Sequence, residues 1–403
     1  MKEATVGTLG EEKVVDCNIH LKIKRSGGID LELKSKVDVT YGKSIRQLVH
    51  KGLSFFGIDN AKIVIDDYGA YPFVMQARIE TVVKRALPDV DNEFLPEFSD
   101  KCLYKSSMDR FRRTRLYLPG SFPKFMINAG IHNPDGIILD LEDSVAPTEK
   151  DAARALVRNA LRVVNFYNAE RMVRINQLPM GLIDLEWVIP HNTHLILIPK
   201  CESTGTVLKV DEKIEEIKKK NNIEQDIFLM PIIESALGVI KAYEIASISS
   251  NVVALAIGLE DYTADIGTER SIEGKESFLA RSAIVNAARA AGVQPIDTVF
   301  SDVDDTEGLR KSTLEAKSLG FEGKGCIHPR QIEIIHDAFA PKEEEIEKAK
   351  KIVKAFEEAK ARGLSVVSLG SKMIDPPVVK RAEKTVQLAM KIGKLDENWR
   401  DNE

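Results

Sequence analysis

Apolar and polar positions follow two different rhythms along this chain. In the first 95 residues the periods are those of an open sheet and of surface helices. Cys17, Ile19, Leu21 and Ile23 alternate with polar neighbours and predict a strand. The turn Arg25-Ser26-Gly27-Gly28 leads into a second alternating strand through Ile29, Leu31 and Leu33. Over 44–56, Ile45, Leu48, Leu53 and Phe56 fall at near-helical spacing. A short strand over 62–65, a turn at Asp67-Tyr68-Gly69 and an amphipathic helix over 73–87 follow. The order ββαβα predicts a small α+β unit. Residues 88–110 carry Pro88, Pro96 and several acids without periodicity, and read as a linker.

From residue 115 the apolar runs become short and nearly continuous, each followed by a helical stretch. They fall at 116–118, 136–141, 172–175, 195–198, 228–233, 252–258, 293–299 and 323–327. Runs of this kind are the mark of strands buried on both faces of a parallel sheet. Eight strand–helix units close a TIM (β/α)8 barrel. Ser121, Thr148 and Asp305 stand where helix starts are expected. A charged helix from about residue 341 through Lys360, a loop with Gly363, Gly370, Pro376 and Pro377, and a final helix from Val378 form the tail. The expected division is an α+β unit over 1–95, a linker over 96–112, the barrel over 113–340 and a helical lid over 341–403.

Composition narrows the functional classes. The chain has 403 residues, and a barrel takes about 250, so the surplus needs an explanation. With 43% hydrophobic and 30% charged residues, dominant disorder is excluded. A net charge of −5 argues against nucleic acid as a partner. Cys17, Cys102, Cys201 and Cys326 are too scattered for a zinc or redox motif, and suit reduced thiols of a cytoplasmic protein. The first residues lack the apolar core of a secretory signal, and no run is long enough to span a membrane.

In such a barrel the reactive groups sit at and just beyond the C-terminal strand ends. Strand two ends in Asp140, Glu142 and Asp143, strand three carries Arg174, and strand four ends in Lys200. Strand five ends in Glu234, strand six in Glu260 and Asp261, strand seven near Asp297, and strand eight at His328. Gathered carboxylates without soft ligands suit Mg²⁺ or a similar hard cation. Glu234 closes the apolar run Met230-Pro231-Ile232-Ile233, where an acid is costly unless paired or metal-bound. Arg174 lies mid-run between Val173 and Ile175, so either a ligand anion or a neighbouring acid must balance it. His191 and His194 precede strand four and belong to the opposite face. Asp302, Asp304 and Asp305 resemble a calcium loop, but Glu307 stands where that loop needs glycine. No Rossmann or Walker motif is present.

Eight stretches in order give the chain a family likeness: 113–120, 138–147, 173–176, 198–203, 232–238, 258–267, 323–329 and 372–377. The chain from about 113 to 391 resembles the citrate lyase β subunit and its relatives, the malyl- and citramalyl-CoA lyases. The resemblance implies a TIM barrel in which Glu234 and Asp261 hold Mg²⁺ and Glu142 and Asp143 hold the metal's waters. It implies that Arg174, with Arg113, Pro119, Gly120 and Lys200, contacts a CoA-thioester substrate. It further implies that Asp375, in the lid, serves as acid/base in a neighbouring subunit of a trimer or hexamer.

Within 1–95, residues 6–9, 29–33, 67–70 and 77–80 resemble the acyl-carrier (γ) subunit of citrate lyase. That subunit carries its prosthetic arm on a serine, whose place here holds Glu11, with Thr8 and Ser26 out of context. Three readings follow. The chain cleaves a citryl group as a citrate lyase β-type subunit with an α-type partner, or it cleaves a malyl- or citramalyl-type thioester of free CoA. In the third, residues 1–95 act as a scaffold or docking module.

Overall fold

The computed structural model describes residues 2–7, 16–271, 273–361, 367–369 and 372–400. Eight parallel strands close into a barrel, paired in chain order with the last against the first. They are Thr114–Pro119, Gly136–Asp140, Glu170–Arg174, Leu195–Ile198, Phe228–Ile233, Ala254–Ile257, Gln294–Asp297 and Gly323–Cys326. Every expected run carries one of them, and the fold is the TIM barrel.

The continuity of the runs follows from burial on both faces. Ile138, Met172, Leu197, Met230, Ala256 and Ile296 point inward and fill the barrel. Leu116, Leu139, Val173, Ile196, Leu229 and Leu255 point outward under the helices. Asp305 caps the helix Thr306–Leu319, accepting the Gly308 N–H at 2.8 Å. Ser121 and Thr148 cap nothing: Phe122 and Glu149 hold those positions, displaced by Pro123 and by a 3-10 turn at Pro147–Glu149.

The N-terminal unit has one strand more than its periodicity predicts. Glu3–Val6 pairs antiparallel with Cys17–Ile23; Ala4 and Val6 alternate with Glu3 and Thr5, but over four residues only. Sheet order is Glu3–Val6, Cys17–Ile23, Ala61–Asp67, Ile29–Ser35. The last two run parallel, because the helix Asp38–Phe55 carries the chain across between them. That helix starts six residues ahead of the expected 44.

The second helix of the unit, Pro72–Ala86, is not the one-sided surface helix expected. Met75, Ile79, Val82 and Val83 enter the unit's own core, while Phe73, Val74 and Ala77 join the barrel's outer core. Between the two cores Glu80 meets Arg158 of the barrel helix Lys150–Val163, at 2.9 and 2.6 Å, with both side chains fully buried. Residues 96–112, expected as a linker, are docked across the N-terminal ends of the strands. The Tyr104 hydroxyl donates to the Ala169 carbonyl at 2.7 Å, and Arg112 pairs with Glu170 at 2.7 and 2.8 Å.

The tail forms a helix pair, Glu343–Ala361 and Pro376–Lys391, joined by the hairpin Val367–Leu369 and Lys372–Ile374. It has a core of its own around Val353, Val379, Val386 and Trp399. The four cysteines are buried and free. Among the described residues no helix is long and apolar enough to cross a membrane.

Candidate active site

At the C-terminal ends of the strands the barrel opens into a cavity of about 380 Å³. Arg174 and Asp140 stand side by side on its wall because they are register partners at the ends of adjacent strands. Arg174 donates through Nε and Nη2 to the two Asp140 oxygens at 2.6 and 2.7 Å, a bidentate fork. Its third nitrogen, Nη1, stands 2.9 Å from Glu142 and 3.7 Å from Asp143. Burial alone would raise the Asp140 carboxyl, but the Arg174 bonds outweigh it and hold that carboxyl below its usual range. Asp140 is therefore the acid that balances Arg174, and the guanidinium is held rigid with one edge toward the loop acids.

Glu234 follows directly on the strand Phe228–Ile233 and is 7% exposed. One oxygen accepts the Lys200 backbone N–H at 2.7 Å. That N–H is aimed by a left-handed backbone at Lys200, φ 46°, an uncommon state for a side-chain-bearing residue. Burial pushes the Glu234 carboxyl up to about 7, against the Lys200 N–H and the Arg174 charge. Gly258 makes the room: a Cβ there would stand 2.5 Å from the second Glu234 oxygen. Burial, then the bond with Asp143, raises Glu142 as well.

Lys200 Nζ lies 3.6 Å from Glu142, 3.6 Å from Asp143 and 3.4 Å from Asp261. Its ammonium thus sits among acids contributed by strands two and six. Asp261 is half-exposed on the helix Leu259–Asp265, while its neighbour Glu260 turns away to Arg270 at 2.5 Å. Pro119 lines the cavity, and the Gly120 N–H donates to the Asp140 carbonyl behind it at 2.8 Å.

Two expected site residues are not brought here. Arg113 precedes the first residue of strand one and so lies at the opposite end of the barrel, where Asp135 takes its Nε and Nη2 at 2.9 and 2.8 Å. Substrate contact from Arg113 in this chain's own mouth is corrected by that placement. Asp375 caps the helix Pro376–Lys391, accepting the Val378 N–H at 3.3 Å, and no described contact joins it to the mouth of its own chain. His191 and His194 are buried at the base, where burial drives both down to about 3. Thr8 and Glu11 lie outside the described residues, and Ser26 sits in an exposed turn.

Periodicity within strand one marks residues that the strand-end rule passes over. Arg115, Tyr117 and Pro119 alternate with Leu116 and Leu118, so all three point into the barrel and line the cavity. Asp140, noted in the sequence only as a strand-end acid, proves to be the anchor of Arg174.

The donor set fits a hard divalent cation. Glu234 is buried with a single described hydrogen bond, and Asp261, Glu142 and Asp143 surround the same space with oxygen donors only. Among the described residues no group of three or more His, Cys, Asp or Glu side chains closes a complete metal cage. Mg²⁺ suits that arrangement, since it is held by one or two carboxylates and keeps several waters.

Residues 113–329 match the HpcH/HpaI aldolase/citrate lyase family. The chain belongs to that family. It is similar to the citrate lyase subunit beta of Haemophilus influenzae, 43% identical over 70% of this chain and 97% of that protein. The mitochondrial citramalyl-CoA lyase of Homo sapiens is 33% identical over 70% of this chain and 86% of that protein. Among solved structures, CitE from Mycobacterium tuberculosis in complex with magnesium, acetoacetate and coenzyme A superposes with a TM-score of 0.57. That structure is 28% identical and covers 69% of this chain and 98% of its own. Residues 1–86 match the malonate decarboxylase delta subunit (MdcD).

Proposed function

We propose that this chain is a Mg²⁺-dependent carbon–carbon lyase. It cleaves a 3-hydroxy-3-carboxyacyl thioester to an oxo acid and an acetyl thioester. The observation that carries the reading is Glu234, a buried carboxylate raised to about 7 beside Asp261 in the mouth of this family's barrel. Glu234 and Asp261 would hold the ion directly, with Glu142 and Asp143 holding its waters. When bound, Mg²⁺ supplies charge stabilisation for the substrate hydroxyl as it becomes a ketone.

The chain's own groups do the rest. Arg174, locked by Asp140, presents Nη1 to the oxo-acid part of the substrate, and Lys200 adds a second positive charge. Pro119 and Gly120 shape the channel for the thioester arm. The hydroxyl proton passes to solvent, the carbon–carbon bond breaks toward the thioester, and Asp375 of a neighbouring subunit protonates the resulting enolate. One proton lost and one gained balance the step, and no water is consumed. A lid that serves a neighbour requires a closed assembly, which we read as a trimer, a hexamer or another closed ring.

The carrier is CoA in the reading we favour, because Glu11 replaces the attachment serine and a carboxylate forms no phosphodiester. A second reading keeps the chain as a citrate lyase β-type subunit in a cytoplasmic complex with an α-type partner. Residues 1–95 would then be a docking module, in keeping with their seat on the barrel. Assaying citryl-, citramalyl- and malyl-CoA with and without Mg²⁺ tests the main reading. Cleavage of none of them, or cleavage indifferent to Mg²⁺, refutes it.

A further inference from the structure

The loop that carries Glu142 and Asp143 leaves strand two at Asp140 and ends at the helix Lys150–Val163. The N-terminal unit grips that far end. Arg85 stands in the last turn of the unit's helix Pro72–Ala86. Its Nε and Nη2 donate to the two Asp151 oxygens at 2.7 Å each, a bidentate fork. Nη2 also donates to the Thr148 carbonyl at 3.0 Å and stands 3.2 Å from Glu149. Nη1 donates to the Thr5 carbonyl at 2.7 Å, which ties the grip to the unit's edge strand Glu3–Val6. Residues 148, 149 and 151 are thus held from outside the barrel.

Among them lies Lys150, whose ammonium reaches back along the loop. Nζ donates to the Leu141 carbonyl at 2.7 Å and to the Glu142 carbonyl at 2.5 Å. Those carbonyls belong to the peptide groups that lead into Glu142 and into Asp143. Fixing them fixes the backbone from which both acids project toward Arg174 and Lys200. On the barrel side, the Asp140 carboxylate accepts the Glu142 and Ser144 N–H groups at 3.0 and 3.3 Å. The loop is therefore pinned from two sides, and one of them begins in the N-terminal unit.

Stability does not account for the Arg85 grip. The Arg85 and Asp151 side chains are 22% and 46% exposed, and pairs so open to water add little to folding. The fully buried Arg158–Glu80 pair and the apolar residues Phe73, Val74 and Ala77 already join the unit to the barrel. What Arg85 adds is the placement of 148–151. Given the lyase reading, on which this rests, we propose that Arg85 is a positioning residue of the lyase site. Through Asp151 and Lys150 it sets the two acids that hold the metal's waters. Residues 1–95 are then a built-in brace of the mouth.

A brace and a charge act with opposite sign. By charge alone, removing a cation near the mouth tightens Mg²⁺ binding, whereas removing a brace loosens it. In the full chain, calorimetry should find Mg²⁺ bound about three- to tenfold more weakly by Arg85→Met, and about ten- to 100-fold more weakly by Lys150→Met, as for groups that orient metal-holding side chains. Asp151→Asn should match Arg85→Met, and the double variant should lose no more than either single one. In the metal-free protein, amide hydrogen exchange should quicken over 141–149 in these variants and stay as in the wild type over 228–234. Mg²⁺ affinity that is unchanged or tighter in Arg85→Met and Asp151→Asn overturns the proposal, and so does unchanged exchange over 141–149. If Arg85→Met does not fold, Asp151→Asn decides alone. Failure of the lyase reading looks different: the wild type then cleaves no thioester, while exchange over 141–149 still reports on Arg85.

Discussion

As the proposed metal ligand, Glu234 would set the pH at which this site can take a cation. Its carboxyl is pushed from 4.5 to about 7 by burial, so at pH 5 about 1% of it is ionised. A metal ligand must be ionised, so Mg²⁺ affinity should climb about 50-fold between pH 5 and 7 and level off above pH 8. Calorimetry in two buffers of different ionisation heat should find about one proton released per ion at pH 5.5 and none at pH 8.5. The metal-free fold obeys the opposite sign. A carboxyl raised by burial favours the folded state only while protonated. Its contribution is intact below 4.5 and is lost as pH rises through about 7, a change of roughly 3 kcal/mol at about 1.4 kcal/mol per pH unit. Glu234→Gln should abolish the pH dependence of Mg²⁺ binding along with lyase activity. The metal-free variant should also be more stable than the wild type at pH 8 and similar to it at pH 4.5. Mg²⁺ affinity that stays flat from pH 5 to 8 in the wild type would refute the reasoning.

Gly258→Ala should place a methyl 2.5 Å from the Glu234 oxygen and lower Mg²⁺ affinity and turnover together, while circular dichroism stays native. Arg158→Met leaves the buried Glu80 without its main partner and should cost about 3–5 kcal/mol in urea unfolding; Glu80→Leu in the same chain should recover most of it. Asp375→Asn and Glu234→Gln should each be inactive alone. Refolded together they should regain measurable activity, about a quarter of wild type for random pairing of neighbours. Recovery of none would place the acid within the same chain.

The barrel was legible because burial on both faces of each strand leaves continuous apolar runs that no surface helix imitates. The site acids were legible because strand ends are the one place where that burial stops, as at Glu234 after Ile233. What stayed hidden has physical causes of three kinds. Glu3–Val6 is held at its register by backbone bonds to Cys17–Ile23, and its two alternating apolar residues, Ala4 and Val6, make too short a period to stand out. The docking of Pro72–Ala86 depends on Arg158, far along the chain, so an apparently polar face conceals a buried ion pair. Arg115 begins an apolar run and reads as its boundary; only the alternation with Leu116, Tyr117 and Leu118 tells that it faces inward. Arg113, two residues before it, shares its family stretch but lies below the strand, and spacing along a motif does not report depth in a barrel.

The seat of the N-terminal unit bears on whether it can carry anything. A carrier must bring its thioester to the mouth and leave again, by moving either an arm or itself. Moving itself would bare Phe73 and Val74, which lie in the barrel's outer core, at about 1.5–3 kcal/mol for each such side chain. Arg158 would also lose Glu80 and Glu93, and Lys84 would leave the Trp187 ring that it covers at 4.6 Å. Open forms are then rare, and binding through them would be weakened by the same factor. An arm would avoid that cost, but Glu11 offers no hydroxyl to which one could attach. Both routes are obstructed for independent reasons, one of packing and one of covalent chemistry. A thioester that arrives on free CoA needs neither, and the unit is then free to serve as a fixed surface of the barrel.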